Sequence, residues 1–391
     1  MQLTVKTKDI LNALVMLLKI VEKSNIKAIL NNIKLSVVDN KLSLVATNLE
    51  ILMSNTIVVD AKKEGETTVN AILFNNIVRK VLDDEIILLF LEKTEQLLIK
   101  GKNFKFEIAT TNAKNFPNFD QTIKNIQKEF YIPSRDLLEI LEINSFSMAL
   151  DKIRYNLNGV YLHSNENNEI TIAATDCHRL SLAKTDVHTE KFGVILSKKT
   201  FEELTKLAKS SLDEVIHVTL NNHLIKFSIN NLFLISKLVD GVFPDYTHFV
   251  PKKNENKLTI KAKILFEVVD RISTIAPDDK LKAVKISINS EKIEVSSYSN
   301  INKDYANEVI VLSDNNAEFV ISKNIKKKKE GVEEKEFDLI VGLNPDYLLD
   351  VLRCIHNHEV EIAFADENIA PILLSCRKND YCKFVIMPIR V

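Results

Sequence analysis

The sequence predicts an α+β protein built from three tandem copies of one module, each of about 130 residues. The first observation is a phrase that occurs twice, because residues 115–119 read NFPNF and residues 242–246 read VFPDY. The two Phe-Pro pairs begin at Phe116 and Phe243, so they are 243 − 116 = 127 residues apart. Helical and strand-like patterns recur along the chain at nearly the same interval, which predicts a repeated unit.

An amphipathic helix opens each copy. In the first of these segments, Ile10, Leu14 and Leu17 follow the spacing of three to four residues that places apolar side chains on one helix face. Asp9 and Asp136 occupy matching positions in copies one and two, again 136 − 9 = 127 residues apart. The opening helices are predicted at 7–22, 134–149 and 262–276.

Strands with alternating apolar and polar residues follow each opening helix, and a second helix comes next. Phe74 and Phe201 mark the second helix in copies one and two, 201 − 74 = 127 residues apart. The alternative, three unrelated α+β domains, does not explain why several landmarks share one offset. The repeated segments that come after these alternating strands are 41–50, 169–179 and 292–302, and the second helices are predicted at 71–82, 197–212 and 344–355.

Composition narrows the functional classes. The formal net charge of the 391 residues is −1, so any attraction to nucleic acid must come from a local basic surface. We expect no membrane span, because no run of about 18 apolar residues occurs. The beginning, MQLTVKTKDI, is not typical of a signal peptide, and four cysteines are too few for a disulfide framework. These features favour a protein of the reducing cytoplasm.

Four stretches resemble one family: IRYNLNGVYL (153–162), ATDCHRLSLAK (174–184), SKLVDGVFPDY (236–246) and FVIMPIRV (384–391). Together with the threefold repeat they are similar to the bacterial sliding clamp, the β subunit of DNA polymerase III. The resemblance implies three DNA-clamp domains, at 1–127, 128–254 and 255–391, that form half of a ring. A head-to-tail homodimer would complete the ring, with helices lining the hole and sheets forming the rim.

The chain departs from this family pattern at three places. Cys177 stands where the family usually has glycine, and Thr247 and His248 stand where it often has a basic residue. The charged segment at 323–336 is longer than the usual connection, and its composition is typical of a loop.

The resemblance implies a pocket for partner peptides between copies two and three. Val385, Ile386, Met387 and Ile389 are apolar residues near the end of the chain, and an adaptable methionine suits a surface that accepts several partners. From composition alone the same residues would be read as ordinary strand core. The predicted pocket residues are Leu157, Thr175, Cys177, His178, Arg179, Leu180, Pro244, His248, Phe249, Tyr347, Ile369, Pro371, Val385, Ile386, Met387, Pro388 and Ile389.

Basic residues recur on the predicted helices, which the resemblance places around DNA. Lys and Arg that reach phosphates without reading bases suit a ring that must slide. The alternative is a solvated helix face of the ordinary kind. The predicted DNA-facing residues are Lys23, Arg79, Lys80, Arg154, Tyr155, Asn156, Lys198, Lys199 and Arg271.

The resemblance also implies a dimer seam between domain one of one subunit and domain three of the other. Phe106 and Ile108 alternate in a predicted edge strand, and Ile275 with the segment after it lies on the opposing side. An apolar edge is a liability that pairing removes. The alternative is that Phe106 and Ile108 fill the core of domain one itself.

Sequence signals for catalysis are weak. Cys177 and His178 are adjacent, and on a strand they would point to opposite faces, which disfavours a nucleophile pair. Cys354, His356 and His358 resemble metal-ligand spacing, but on a helix they would not share a face, and no second ligand pair stands nearby. We therefore predict no catalytic residues, metal or cofactor.

The resemblance thus implies a non-catalytic processivity factor that encircles double-stranded DNA without sequence preference. Its predicted partners are a second copy of the chain, the DNA polymerase III catalytic subunit, the clamp loader and other proteins with short clamp-binding motifs. A hydrolase or metal enzyme would need a convergent set of titratable residues, which the repeats lack. A monomeric peptide-binding scaffold that never encircles DNA is the remaining alternative.

Overall fold

The computed structural model describes residues 1–21, 27–117, 123–151, 153–275, 282–299, 303–315, 317–321, 338–366, 369–377 and 379–390. Three sequence predictions fall outside these residues: Lys23, the segment directly after Ile275, and the charged segment at 323–336.

The first copy consists of an opening strand, a helix, five strands, a second helix and three closing strands. Its elements are β1 (Gln2–Lys6), α1 (Thr7–Leu17), β2 (Asn32–Val38), β3 (Lys41–Thr47), β4 (Ile51–Val58), β5 (Asp60–Lys63), β6 (Gly65–Asn70), α2 (Ala71–Val78), β7 (Glu85–Leu91), β8 (Gln96–Lys100) and β9 (Lys105–Thr111).

The second copy repeats this order with one strand fewer between its helices. Its elements are β10 (Lys128–Pro133), α3 (Ser134–Asn144), β11 (Gly159–Ser164), β12 (Glu169–Thr175), β13 (Arg179–His188), β14 (Gly193–Ser197), α4 (Lys198–Lys209), β15 (Val215–Leu220), β16 (Leu224–Ile229) and β17 (Leu232–Lys237).

The third copy again opens with a strand and a helix and closes with three strands. Its elements are β18 (Asn256–Lys261), α5 (Ala262–Ser273), β19 (Val284–Ile288), β20 (Lys292–Tyr298), β21 (Tyr305–Val311), β22 (Glu318–Val320), β23 (Leu339–Leu343), α6 (Pro345–Cys354), β24 (Glu359–Phe364), β25 (Ile372–Cys376) and β26 (Asn379–Ile386). The predicted α+β fold of three tandem modules is confirmed.

Each of the six predicted helices begins within one residue of its predicted start and ends earlier than predicted. The second helix of each copy has a polar N-cap whose side chain accepts backbone N–H bonds, at Asn70, Ser197 and Asn344. At the end of α2, the backbone N–H of Lys80 donates to the carbonyl of Ile77 at 3.0 Å. A bond from residue i+3 to residue i is typical of a tightened last turn. The apolar pattern of the sequence runs through this turn and therefore extends beyond the residues that form regular α-helix.

The chain forms two compact units, and copy two contributes to both. The first unit combines Met1–Leu138 with Leu196–Val239, and the second combines Glu139–Ile195 with Asp240–Val391. Sheet pairing across the copies explains this division. In the first unit β4 of copy one pairs antiparallel with β17 of copy two, and in the second unit β13 of copy two pairs in the same way with β26 of copy three.

The apolar faces of the opening helices pack on these sheets. On α1 the side chains of Ile10, Leu14 and Leu17 are fully buried, and on α5 those of Leu265 and Val269 are. Full burial of such a side chain typically stabilises the fold by about 1.5–3 kcal/mol.

Candidate functional site

A cavity of about 150 Å³ lies in the second unit, at the end of β13 where it pairs with β26. The turn between β12 and β13 forms one side, and the Phe-Pro phrase that follows β17 forms the other. Its lining residues are Thr175, Cys177, His178, Arg179, Leu180, Pro244, Tyr246, Phe249, Val385 and Met387.

Strand pairing builds the apolar floor of this cavity. Leu180 lies opposite Val385 in the ladder, and both side chains are buried. The backbone N–H of Met387 donates to the carbonyl of His178 at 2.9 Å, so the chain continues along β13 beyond the end of β26. The Met387 side chain is 39% exposed, which leaves an adaptable apolar group at the rim.

The turn from Thr175 to Arg179 is held by its own side chains. The Asp176 carboxylate accepts the backbone N–H of His178 at 2.9 Å and of Arg179 at 3.0 Å. The Thr175 hydroxyl accepts from the Cys177 N–H at 3.1 Å and donates to the Arg179 carbonyl at 2.6 Å. Cys177 has φ of 76°, a left-handed conformation that favours glycine, which the family usually has there. Cys177 and His178 therefore lie in a turn, and our expectation of a strand at these two residues is wrong.

Arg179 joins copy two to copy three inside the second unit. Its guanidinium donates to Asp176 at 3.0 Å and to Asp350 on α6 at 2.7 Å. The guanidinium carbon also lies 4.3 Å from the ring centroid of Tyr347, which is a cation–π contact. Only 14% of the arginine side chain is exposed. A planar group fixed on several sides is a rigid wall for a ligand.

Stacked aromatic rings fix the opposite wall. Tyr161 stacks on His163 at 4.4 Å and on Phe243 at 5.0 Å between ring centroids. The Tyr246 hydroxyl lies 2.7 Å from His163 Nε2. Burial lowers the pKa of His163 to about 4 and raises the pKa of Tyr246 to about 12, so both are neutral at pH 7.

Several predicted pocket residues lie outside this lining. Leu157 and Ile386 are buried in the second unit, while Ile369 is 57% exposed. The Tyr347 ring contacts the Arg179 guanidinium, and the Pro371 carbonyl accepts a hydrogen bond from the Asn254 side chain at 3.0 Å.

Three more predicted pocket residues do not line the cavity: His248, Pro388 and Ile389. The backbone N–H of Ile389 instead donates to the Gly342 carbonyl at 2.8 Å.

Tyr246 is the lining residue that sequence reasoning missed. It belongs to the repeated phrase VFPDY, which we interpreted as the end of a copy. The sequence signal for Tyr246 is its place in a proline-containing turn. A large aromatic side chain in a turn is less often part of the core, so it could have been predicted to lie at the surface site.

The predicted DNA-facing residues differ in how their charges are engaged. Arg79 and Lys80 are exposed where α2 ends, and Lys198 and Lys199 lie in the first turn of α4. Arg271 instead forms two bonds to the Glu308 carboxylate, at 2.6 and 3.0 Å. Its charge is therefore already paired within the chain.

The predicted DNA-facing loop is tied to the pocket turn. Arg154 donates to Asp151 at 2.6 and 3.0 Å and to the Asp176 carbonyl at 3.1 Å. The backbone N–H of Arg154, which also donates to Asp151, and then its guanidinium hold the pKa of the Asp151 carboxyl below its usual value. Tyr155 is 58% exposed, and Asn156 donates to the Val242 carbonyl at 3.0 Å.

Several strand edges stay open among the described residues, and two of them belong to β9 and β21. In β9, residues Lys105–Ala109 pair with β8 alone, since β6 reaches only Thr110 and Thr111. In copy three, β21 is the outer strand of its sheet and pairs with β20 alone. Phe106 is 43% exposed, whereas Ile108 is buried in the first unit, and Ile275 is half-buried after α5.

The described residues contain no group of three or more His, Cys, Asp or Glu side chains arranged to hold a metal ion. His356 and His358 follow the end of α6 in a turn, so our assumption that they share a helix with Cys354 is wrong. Within the described part of the chain, no helix has the length and apolarity to cross a membrane.

Comparison with known proteins covers the whole chain. Three family models of the DNA polymerase III beta subunit match it: the N-terminal domain at residues 1–120, the central domain at 131–245 and the C-terminal domain at 247–390. The beta sliding clamp of Rickettsia felis is 38% identical over 100% of both chains, and that of Haemophilus influenzae is 27% identical over 100% of both.

Solved structures agree with this assignment. A Pseudomonas aeruginosa sliding clamp bound to griselimycin has a TM-score of 0.88, 26% identity and 100% coverage of both chains. The Caulobacter crescentus sliding clamp has a TM-score of 0.87, 28% identity and the same coverage.

The threefold fold and the three matched domains define a DNA clamp, a protein that encircles duplex DNA as a ring. The chain belongs to the DNA polymerase III beta subunit family, the beta sliding clamps. It is a processivity factor that acts as a ring-shaped homodimer.

Proposed function

We propose that the cavity on β13 and β26 is the site at which this clamp holds its partners. The observation that carries the proposal is an apolar floor of Leu180 and Val385 with Met387 at its rim, set between the Arg179 wall and the aromatic wall. An apolar cleft with a few fixed polar groups is the usual form of a site for a small apolar ligand or peptide. A short, largely apolar segment fits this chemistry.

The partners of this site are the DNA polymerase III catalytic subunit, the clamp loader and other proteins with short clamp-binding motifs.

The clamp contributes no catalytic step. It works in the cytoplasm by topology, because a closed ring can slide along DNA but cannot dissociate sideways. The three clamp domains occupy residues 1–127, 128–254 and 255–391.

The internal repeat supports a specific geometry for ring closure. Within the chain, the strand equivalent to β4 pairs with the strand equivalent to β9 at each of the two junctions, as β4–β17 and β13–β26. The members left over are β9 in copy one and β21 in copy three, and their edges are open. In a homodimer, β9 of each subunit can pair with β21 of the other, which forms two further junctions of the same kind. These two junctions close the ring.

The seam therefore includes Phe106 with β21, and Ile275 lies near α5, which packs against that strand. Ile108 supports β9 from within the core and does not itself form the contact surface. The exposed large hydrophobic side chains along β21 are Tyr305, Val309 and Val311.

The DNA-facing contacts come from the ends of α2 and α4 and from the loop around Tyr155. Exposed Arg79 and Lys80, with the half-buried Lys198 and Lys199, bind phosphates without reading bases. Arg154 positions this loop through Asp151, and Asn156 fixes it through the Val242 carbonyl. Arg271 contributes least, because Glu308 already neutralises it.

A variant carrying Arg179→Ala and Met387→Ala tests the pocket. We expect loss of polymerase stimulation and of binding to a clamp-motif peptide, with the dimer unchanged in size-exclusion chromatography. The matched control is Arg353→Ala, which removes an exposed arginine that shares the Asp350 carboxylate. Normal stimulation by the double variant would contradict the pocket assignment.

Retention on DNA tests encirclement separately from docking. Clamp loaded on nicked circular DNA should remain bound at high salt and be released when the DNA is linearised, because the ring slides off a free end. A monomeric peptide-binding scaffold would elute near 44.5 kDa and show no difference between the two DNA forms.

A further inference from the structure

A cavity of about 390 Å³ lies in the second unit, where α6 has ended and α5 begins. Two lysines and two histidines line it together with one carboxylate. The lining residues, which we call the copy-three corner, are Lys261, Lys263, His356, Asn357, His358 and Glu359. Cationic and imidazole groups around one opening favour an anionic ligand.

The internal repeat supplies two equivalent corners for comparison. In every copy the first residue of the opening helix donates its backbone N–H to a carbonyl in the turn after the second helix. The three bonds are Thr7 to Asp84 at 2.8 Å, Ser134 to Glu214 at 2.9 Å and Ala262 to His358 at 3.0 Å. Strand register agrees, because Lys6 lies opposite Glu85 in copy one as Lys261 lies opposite Glu359 in copy three. His358 therefore occupies the position that an acidic residue holds in copies one and two.

This exchange of an acid for an imidazole changes the charge of the corner. In copy one, two lysines face three carboxylates at the equivalent positions, which are Lys6, Lys8, Asp83, Asp84 and Glu85. In copy two, Arg135 donates to Asp213 at 3.1 Å, and Glu214 adds a second carboxylate. Copy three keeps both lysines but has Glu359 as the single carboxylate of its lining. Of the three corners, that of copy three has more cations than carboxylates.

The neighbouring charges leave the Lys261 ammonium group available. Arg377 lies 3.3 Å from the Glu359 carboxylate and engages it. The Lys263 ammonium group approaches Glu267 only to 4.0 Å, and 64% of the lysine side chain is exposed. Lys261 is exposed and forms no hydrogen bond or ion pair through its side chain within the described part of the chain. With Arg377 and Glu267 included, three cations face two carboxylates, so one positive charge is in surplus.

The turn after α6 holds both imidazoles at the opening. The backbone N–H of His358 donates to the Ile355 carbonyl at 2.8 Å, and its side chain is exposed. The His356 ring lies edge-on to the Phe266 ring of α5, with 5.7 Å between the centroids. An imidazole donates at least one N–H and a lysine ammonium group donates three, so the corner offers several donors to the oxygens of one phosphate.

We propose that the copy-three corner binds a backbone phosphate of duplex DNA, a contact that the equivalent corners of copies one and two do not make. Duplex DNA is the anion that a clamp encloses, and it carries about one negative charge per 1.7 Å of its axis. The inference extends the DNA-facing contacts proposed above and rests on that part of the proposed function. The hold of the clamp on DNA is then unequal among its three copies.

The first test measures the affinity of the dimer for a short fluorescein-labelled duplex, which can thread a closed ring from its ends. Anisotropy titrations at several salt concentrations between about 50 and 200 mM give the slope of log K against log salt. Lys261→Glu should weaken binding roughly two- to fivefold at the lowest salt and reduce the slope by about 1, because one phosphate contact is lost. His358→Glu, which restores the acid of copy two, should act in the same direction.

Lys252→Glu is the matched control, because it makes the same change of charge at an exposed lysine of copy three outside the cavity lining. It should leave the salt slope unchanged. Circular dichroism and the elution volume of the dimer establish that all three variants fold. Equal reductions of the slope in Lys261→Glu and Lys252→Glu would overturn the inference.

Histidine footprinting with diethyl pyrocarbonate, followed by mass spectrometry, locates the contact. Bound duplex should protect His358, whereas the exposed His223 of copy two should react as before. Inorganic phosphate at the same micromolar concentration should protect neither, and protection by it would overturn the assignment to DNA. Bound duplex without protection of His358 would overturn this inference and leave the other DNA-facing contacts standing. A dimer that bound no duplex at all would overturn those contacts as well.

Discussion

Arg179 donates a hydrogen bond of 2.7 Å to Asp350, a residue 171 positions further along the chain. The carboxylate receives a second arginine as well, since Arg353 donates to its other oxygen at 3.1 Å. The two arginines differ in burial, because 14% of the Arg179 side chain is exposed against 63% of Arg353. The Asp350 carboxylate thus accepts hydrogen bonds from one largely buried arginine and one largely exposed arginine.

This difference predicts unequal stability effects. Arg179→Ala should lower the free energy of unfolding by about 1–3 kcal/mol, because it leaves a carboxylate largely enclosed without its main partner. Arg353→Ala should cost less than about 1 kcal/mol, as exposed ion pairs do. Urea unfolding followed by circular dichroism measures both. Equal losses of unfolding free energy in the two variants would show that the buried Arg179 contact stabilises the fold no more than the exposed Arg353 contact does.

The turn at Cys177 predicts a stabilising substitution. Cys177 has φ of 76°, and Leu49 holds the matching turn of copy one at φ of 77°, so the strained conformation belongs to the repeat. Cys177→Gly should relieve the strain and raise the free energy of unfolding by about 1 kcal/mol after the added flexibility of the unfolded chain is subtracted.

Cys177→Ala is the matched control, because alanine keeps the strained backbone and removes only an exposed thiol. We expect it to change stability by less than about 0.5 kcal/mol. Differential scanning calorimetry should place the glycine variant above both other proteins. A glycine variant that melts below the alanine variant would exclude strain at this turn.

His163 predicts a pH dependence of the pocket wall. Its pKa is lowered to about 4 by burial, whereas an unfolded chain binds a proton near the ordinary value of 6.5. Above pH 6.5 the His163 imidazole is neutral in both the folded and the unfolded state, so its titration does not change the free energy of unfolding. As the pH falls from 6.5 to 4 the unfolded state gains the proton first, so stability should fall by about 3 kcal/mol in total.

The measurement is urea unfolding of wild type and His163→Gln at several pH values between 4 and 7. The glutamine variant starts less stable at pH 7, yet its stability should depend less on pH over this range. A nuclear magnetic resonance titration of the His163 ring protons gives the pKa directly. A midpoint near 6.5 would contradict the burial argument.

How far the sequence predicts the molecule depends on the kind of feature. Helix starts followed from apolar spacing, which is a local signal, and the structure adds polar caps such as Asn70 and Asn344 at these starts. Helix ends did not, because the apolar pattern runs through the tightened last turn. The partnership of Arg179 with Asp350 leaves no local signal at all, as it joins residues from two copies.

Period-two patterns carry a similar ambiguity. Phe106 and Ile108 lie on the same face of β9, yet one side chain is 43% exposed and the other is buried. The pattern indicates which residues share a face and does not indicate how far the core extends along it. For the same reason the outward edge of β21 became visible only once its single neighbour was known.

The seam yields the final prediction. Phe106 on β9 and Val309 on β21 are 43% and 47% exposed in a single chain, and both lie on strands with an open edge. A glutamate at either position would place a charge without a partner in the paired seam, where desolvation is costly. Phe106→Glu and Val309→Glu should each raise the dimer dissociation constant at least about tenfold, which is about 1.4 kcal/mol.

Val215→Glu is the matched control, because Val215 is 54% exposed on β15 of copy two, outside both seam strands. Sedimentation velocity over a dilution series should show earlier dissociation to the 44.5 kDa chain for the two seam variants and none for the control. Clamp loading on circular DNA should fall in parallel, while binding of a motif peptide to the isolated chain persists. Seam variants that stay dimeric at the same dilution as the control would mean that other edges close the ring.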